Sequence, residues 1–229
     1  MSEGDQSVSQ AIDRFGPMFE LNNGFAQLKP LLAQTRWLAL NAEIAAAHLG
    51  KAGESFAMVA REVILMGSQL QETVSEIETA FHHSSHAAAQ IMGANWRREF
   101  FLRANAAAKA LHQEGEAASQ DFCEEAMAAL TGCAASQAAL RQEKAVEMAR
   151  QMTGLTGLLS RLNIIATRKS NYLAISAKLE SALFGAEGEA LRTVSAELGQ
   201  LSKEFSALEK TTENRVGVAR AKARAMAGL

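Results

Sequence analysis

The chain predicts an all-α fold, an elongated antiparallel four-helix coiled-coil bundle made of two similar helical hairpins. Three observations carry that expectation. Small and apolar residues recur with a period near 3.5, the mark of a coiled-coil seam rather than of a generic amphipathic surface. Strand-favouring runs are missing: Pro numbers 2, both before position 31, and aromatics make up 6%, the composition of a long-helix protein. Finally, a stretch near the N-terminus returns near the C-terminus, so that Ile175 sits 135 residues after Leu40 with no gap in between.

The elements follow in order. Residues Met1 to Asp13 are polar and expected to fray. Arg14 to Phe25 carries Phe15, Pro17, Phe19, Leu21 and Phe25 and reads as a short helix capping the bundle. Pro30 suits the first turn of a helix, where its missing N–H costs nothing. The first long helix is therefore expected from about Pro30 to Leu49, with its seam at Leu28, Leu32, Thr35, Ala39, Ala42, Ala46 and Leu49. Alanine-rich seams let helix axes approach closely and cost little in propensity.

Gly50 and Gly53 bracket a tight turn. Gly50 can take the positive φ that ends a helix, and Gly53 lets the chain reverse before Glu54, whose charge suits a helix N-terminus. The second helix continues the seam at Phe56, Val59, Val63, Met66, Leu70, Thr73 and Ile77. Nothing interrupts it before His112 to Gly115, which implies about 87 Å of helix at 1.5 Å per residue. The third helix is expected from Ala117 to about Phe184, with Gly154 and Gly157 as points of bending and an apolar stripe at Leu158, Leu162, Ile165, Tyr172, Leu179 and Leu183. The fourth runs from Glu189 to about Arg224 along Leu191, Val194, Leu198, Leu201, Phe205 and Leu208.

The repeat pairs Leu38–Ile44 with Leu173–Leu179 and the turn Gly50, Gly53 with Gly185, Gly188. A lone hairpin cannot bury its apolar face, so two in one chain are expected to pack as a linked pseudo-dimer with both turns at one end. The chain divides accordingly into an N-terminal segment (1–29), a first hairpin (30–80), long central helices with a distal turn near 115 (81–154) and a second hairpin (155–229). Trp96, Phe100, Phe101, Leu102 and Phe122 fall at the distal end, where they close it or meet a partner.

Net charge is −2, which gives no global attraction to nucleic acid or anionic lipid. No apolar run approaches the ~20 residues that span a bilayer, and no signal peptide precedes the fold, so a soluble cytoplasmic protein is expected. Cys123 and Cys133 are too far apart on a helix to pair and read as buried thiols.

The first hairpin, Gln34-Thr35 through Leu38-Ala39-Leu40-Asn41-Ala42, Ile44, Ala46-Ala47, Gly50, Gly53, Phe56-Ala57, Val59-Ala60 and Glu62-Val63, resembles the cytoplasmic signalling tip of bacterial methyl-accepting chemotaxis proteins. The match runs gapless across both helices and the turn. The resemblance implies a dimeric four-helix coiled coil whose tip docks the histidine kinase CheA and its adaptor CheW. It departs from the family at Ala45, His48 and Lys51, where the family carries Glu, Arg and Glu; Glu180 restores the first in the second hairpin alone. Those polar positions serve contacts between receptor dimers and with the kinase.

Other chemistry is sparse. His82 and His86 lie four residues apart on one helix face, a spacing that can chelate Zn²⁺, and His112 or Cys123 could add ligands if the long helices fold back; the alternative is a solvated polar face. No phosphate loop, nucleophile elbow or catalytic carboxylate pair stands out, so an enzyme is not expected. Arg215, Arg220, Lys222 and Arg224 read as ordinary partners of a helix C-terminus rather than as a nucleic-acid or membrane contact. The leading reading is a receptor-like signalling module, possible as a homodimer, that binds the kinase or adaptor around its tip. Its contact residues would be Trp37, Asn41, Phe56, Val59 and Glu62, with Ile175, Glu180 and Leu191 on the second copy. The alternative is a helical scaffold or sensor that binds a metal or small ligand in its central segment.

Overall fold

The structure, a computed structural model, describes residues 16, 18, 20–114, 117–185 and 188–229. The expected frayed N-terminus, Phe15, Pro17, Phe19, the distal turn at Gly115 and the side chain of Lys51 lie outside the described residues. Among those described, the chain is all helix: α1 (Leu28–His48), a 3-10 turn (Gly50–Gly53), α2 (Glu54–Glu114), α3 (Ala117–Asn163), a π-helical stretch (Ile164–Lys169), α4 (Ser170–Leu183) and α5 (Glu189–Ala227). Residues 20–26 form a further helical segment ahead of α1. The chain divides into two compact units: Pro17–Phe81 with Thr153–Val218, and His82–Met152 with Ala219–Leu229.

The first of these units is an antiparallel four-helix bundle whose ring of contacts closes. Lys29 Nζ meets Glu78 at 3.1 Å and Arg36 donates to Gln71, which sets α1 against α2. Arg161 bridges Glu76 at 2.9 Å and donates to Thr73, and Lys169 donates to Gln69 at 2.6 Å, setting α2 against α3 and its continuation. Ser170 donates to the Leu198 carbonyl and Ser195 to the Ala174 carbonyl, both at 2.8 Å, joining α4 to α5. Arg215 returns to the Glu20 carbonyl at 3.0 Å, and Gly24 leaves room for Thr212. In each pair the partner numbers rise on one helix as they fall on the other, so neighbours run antiparallel.

The core follows the expected seam in three of four helices. Thr35, Ala39, Ala42 and Ala46 are buried on α1, Phe56, Val63, Met66, Leu70, Thr73 and Ile77 on α2, and Leu191, Val194, Leu198, Leu201 and Phe205 on α5. Each large side chain fully withdrawn from water contributes about 1.5–3 kcal/mol. Leu21 and Phe25 extend the core, and the Phe25 ring packs edge-on against Phe81 with centroids 5.1 Å apart.

The third seam is a correction. Leu162 and Ile165 are buried as expected and Leu158 is half-buried, but Tyr172, Leu179 and Leu183 are exposed, and the buried stripe is completed by Leu155, Leu159, Ala166, Ser170, Leu173, Ala177 and Ser181. Shifted back by 135, the last four of these fall on Thr35, Leu38, Ala42 and Ala46, all buried in α1. The repeat thus carries the seam, and hydrophobicity misleads because two seam positions are serines that bond inward to backbone. The helix also does not break at Gly154 or Gly157. It widens over Ile164–Lys169 into a π-helical stretch between buried Leu162 and Ser170. Thr167 Oγ1 donates to the Asn163 carbonyl and meets its side-chain oxygen, the back-bonding that loosens a helical ladder.

The second unit is thinner. Arg97 donates to Gln137 at 2.8 Å and Asn105 to Thr131 at 3.4 Å, keeping α2 and α3 antiparallel, while Gln142 reaches the Ala227 carbonyl at 3.4 Å. Ile91, Met148 and Met152 are its large buried side chains. Over 95–113 and 122–133, where the side chains are described, no residue is buried. The cysteines follow suit, against the expectation of buried thiols: Cys123 is half-buried and Cys133 exposed, because two helices alone leave each residue one side open.

Candidate functional site at the hairpin tips

Both turns are built alike. Gly50 and Gly185 take φ of 56° and 59°, the left-handed conformation that glycine enters without strain. A Cβ on Gly53 would stand 2.5 Å from the Ala46 carbonyl oxygen, and one on Gly188 would collide with the Ser181 carbonyl oxygen. The helix that leaves each turn therefore touches the backbone of the helix that enters it. Arg192 seals the second turn, donating to the Gly185 carbonyl at 3.0 Å.

The tips lie side by side. Ser55 Oγ, two residues past the first turn, donates to Glu180 Oε2 on α4 at 2.7 Å. The glutamate that the family carries on the entering helix, kept here only as Glu180, is thus engaged by the sister hairpin. At the equivalent place in the first copy Ala45 is buried, so no carboxylate stands there.

The side chains expected to meet a partner separate into two groups. Trp37 and Ile175 are 67% and 60% exposed, and Asn41 on α1 and Glu62 on α2 are exposed as well. Phe56 and Leu191 are core residues with no exposed surface, and Val59 is half-buried. The seam that made Phe56 and Leu191 conspicuous is what withdraws them from a partner. Leu40 and Ile44 escaped notice as contact residues although both are exposed. With Trp37 they form a stripe along α1 at steps of three and four, one face of a helix. Tyr172, Ile175, Leu179 and Leu183 form the equivalent stripe on α4, all at least 60% exposed. The two stripes correspond at the offset of 135, Trp37 with Tyr172, Leu40 with Ile175 and Ile44 with Leu179. Trp37 and Leu40 also line an open groove of about 540 Å³, whose rim carries Lys29, Arg36 and Gln71.

His82 and His86 are exposed in the other unit. Among the described residues no three His, Cys, Asp or Glu side chains come together to hold a metal. Glu147, which feels the charges of His86 and His83, is held by Lys144 at 2.8 Å, which keeps its carboxyl below the usual carboxylate range. Among the described residues no helix is long and apolar enough to cross a membrane.

Comparison with known proteins agrees with the tip geometry. The chain is 30% identical to the methyl-accepting chemotaxis protein McpP of Pseudomonas putida over 205 residues, 88% of this chain and 34% of that protein. It is 38% identical over 81 residues to the methyl-accepting chemotaxis protein Amb0994 of Paramagnetospirillum magneticum, covering 35% of this chain and 17% of the relative. The transducer protein Htr18 of Halobacterium salinarum is 40% identical over 62 residues, 27% of this chain and 8% of its own length. The chain spans about a third of the length of McpP and less of the others. No family model and no solved structure matches it significantly. With the gapless tip motif, paired glycine turns and an antiparallel helical bundle all present, this chain carries a signalling domain of the methyl-accepting chemotaxis protein type.

Proposed function

We propose that the chain is a cytoplasmic chemoreceptor-like module that signals by protein–protein contact at its tips, docking the histidine kinase CheA, its adaptor CheW or close equivalents. One observation carries this reading: the apolar stripe Trp37, Leu40 and Ile44 faces outward beside the first turn, although the core there is already filled by alanine and Phe56. Exposed aromatic and branched side chains on a rigid helix are the usual anchors of an interface. The stripe on α4 offers a second, non-identical face, because Tyr172, Ile175, Leu179 and Leu183 stand where Trp37, Leu40, Ile44 and His48 stand in the first copy. Duplication within one chain supports this: each face can change without changing the other.

The module lacks the family's Glu and Arg at Ala45 and His48, so contacts that use those charges are weakened while the apolar anchors remain. The test is direct binding of the purified chain to the kinase and adaptor of its own organism, by fluorescence anisotropy or biolayer interferometry. Trp37→Asp with Leu40→Asp is expected to weaken binding at least about tenfold, the size of a lost hot spot, with the helical circular dichroism unchanged. Absence of binding by the parent chain to either protein ends this reading.

A further inference from the structure

Beyond the tips, α2 carries a second unpartnered face in the unit His82–Met152, and its chemistry is self-complementary. Met92, Trp96, Glu99, Arg103, Ala106 and Ala110 recur at steps of four and three along α2, so they share one face at coiled-coil spacing. All six are exposed, Trp96 at 70% and Met92 at 37%. The face turned toward α3 is a different one, marked by buried Ile91 and Ala94 and by half-buried Phe101. Phe100, 67% exposed, borders the outer face.

The order of residues along this face is complementary to its own reverse in size and charge. A twofold axis at residue 101, relating two antiparallel copies of α2, sets Met92 opposite Ala110, Trp96 opposite Ala106 and Glu99 opposite Arg103. Large side chains then fill the hollows over alanines, as close helix packing requires. Each carboxylate meets a guanidinium across the axis. Within one chain Glu99 and Arg103 already lie 3.5 Å apart with both side chains more than half exposed, so they can re-pair across such an interface without first being released from burial. A parallel pairing would instead stack Trp96 on Trp96 and Glu99 on Glu99.

We infer that α2 pairs antiparallel with α2 of a second copy of this chain through Met92, Trp96, Glu99, Arg103, Ala106 and Ala110. An isologous contact must be self-complementary, and this face is. Four aromatic rings, Trp96 and Phe100 from each chain, can each bury about 150–250 Å², on the order of the 1,000 Å² that a specific interface needs. An anionic lipid surface suits the face less well, because the charges along its midline cancel. The inference is independent of the reading of the tips, since none of its residues lies in either hairpin turn.

Sedimentation equilibrium of the full chain from micromolar to sub-millimolar concentration tests it. The parent chain is expected to dimerise. Glu99→Arg and Arg103→Glu, each alone, are expected to raise the dimer dissociation constant about tenfold or more, and Ala106→Trp to do the same by filling the hollow for Trp96. The charge swap Glu99→Arg with Arg103→Glu restores both cross-axis pairs and is expected to return dimerisation to within about threefold of the parent. Kinase or adaptor binding through the tips should survive every one of these changes. A chain that stays monomeric, a dimer indifferent to the single reversals, or a swap worse than either reversal overturns the inference. So does a monomer that co-sediments with phosphatidylglycerol vesicles through Trp96, which would assign the face to lipid.

Discussion

At the scale of single residues, the tip separates what packs from what is offered. Phe56 and Leu191 lie on the seam and are consumed by the core, while Trp37 and Ile175 lie beside it and stay in water. Glu180 joins the two hairpins through Ser55. A second carboxylate has a different position. Glu209 on α5 is half-buried, and burial, followed by repulsion from Glu213 one turn on, raises its carboxyl above the usual range. A folded-state pKa above the unfolded value means stability present at low pH and lost as pH rises through the folded pKa. Glu209→Gln should therefore stabilise the chain near pH 7 by a few tenths of a kcal/mol, the size of a relieved like-charge pair at this spacing. The gain should fade toward about pH 4, where the parent carboxyl is itself protonated. Thermal melts at the two pH values check this, and an equal gain at both would rule out the charge as its origin.

At the scale of elements, α3 and α4 show where periodicity outranks hydrophobicity. Leu179 and Leu183 look like core and face water, whereas Ser170 and Ser181 look like surface and sit in the seam. The physical reason is room. Close-packed helices at an alanine-lined contact accept small side chains, and a serine that bonds backbone leaves no polar atom stranded. The π stretch at Ile164–Lys169 falls between a leucine seam below and a small-residue seam above. In the first copy the corresponding residues, 29–34, lie in ordinary α-helix just after the turn at Gln27. Thr167→Val keeps the side-chain shape but removes the hydroxyl bond to Asn163. Amide exchange over 164–169 is expected to slow about fivefold, matching about 1 kcal/mol recovered by the helical ladder. No change would mean that this hydroxyl does not hold the π turn open.

At the scale of the whole molecule, the two units differ in how much core they own. Phe56, Met66, Leu70, Ile77, Leu155, Leu159 and Phe205 all belong to the unit that holds both turns. The stretch 95–133, with no buried residue where the side chains are described, has two helices and little beneath them. Local stability tracks buried apolar contact, so amides in 95–133 should exchange fastest among the helices at dilution and gain protection over 92–110 as concentration rises. Uniform protection along α2 would contradict this. The helices, their antiparallel order, both glycine turns and the family-type tip were legible in the residues themselves, because period 3.5, left-handed glycine and a gapless repeat are local properties of the chain. Where the helix widens and which tip side chains stay exposed were decided only in the folded state. Those outcomes depend on the space between helices, which no single helix contains in its own sequence.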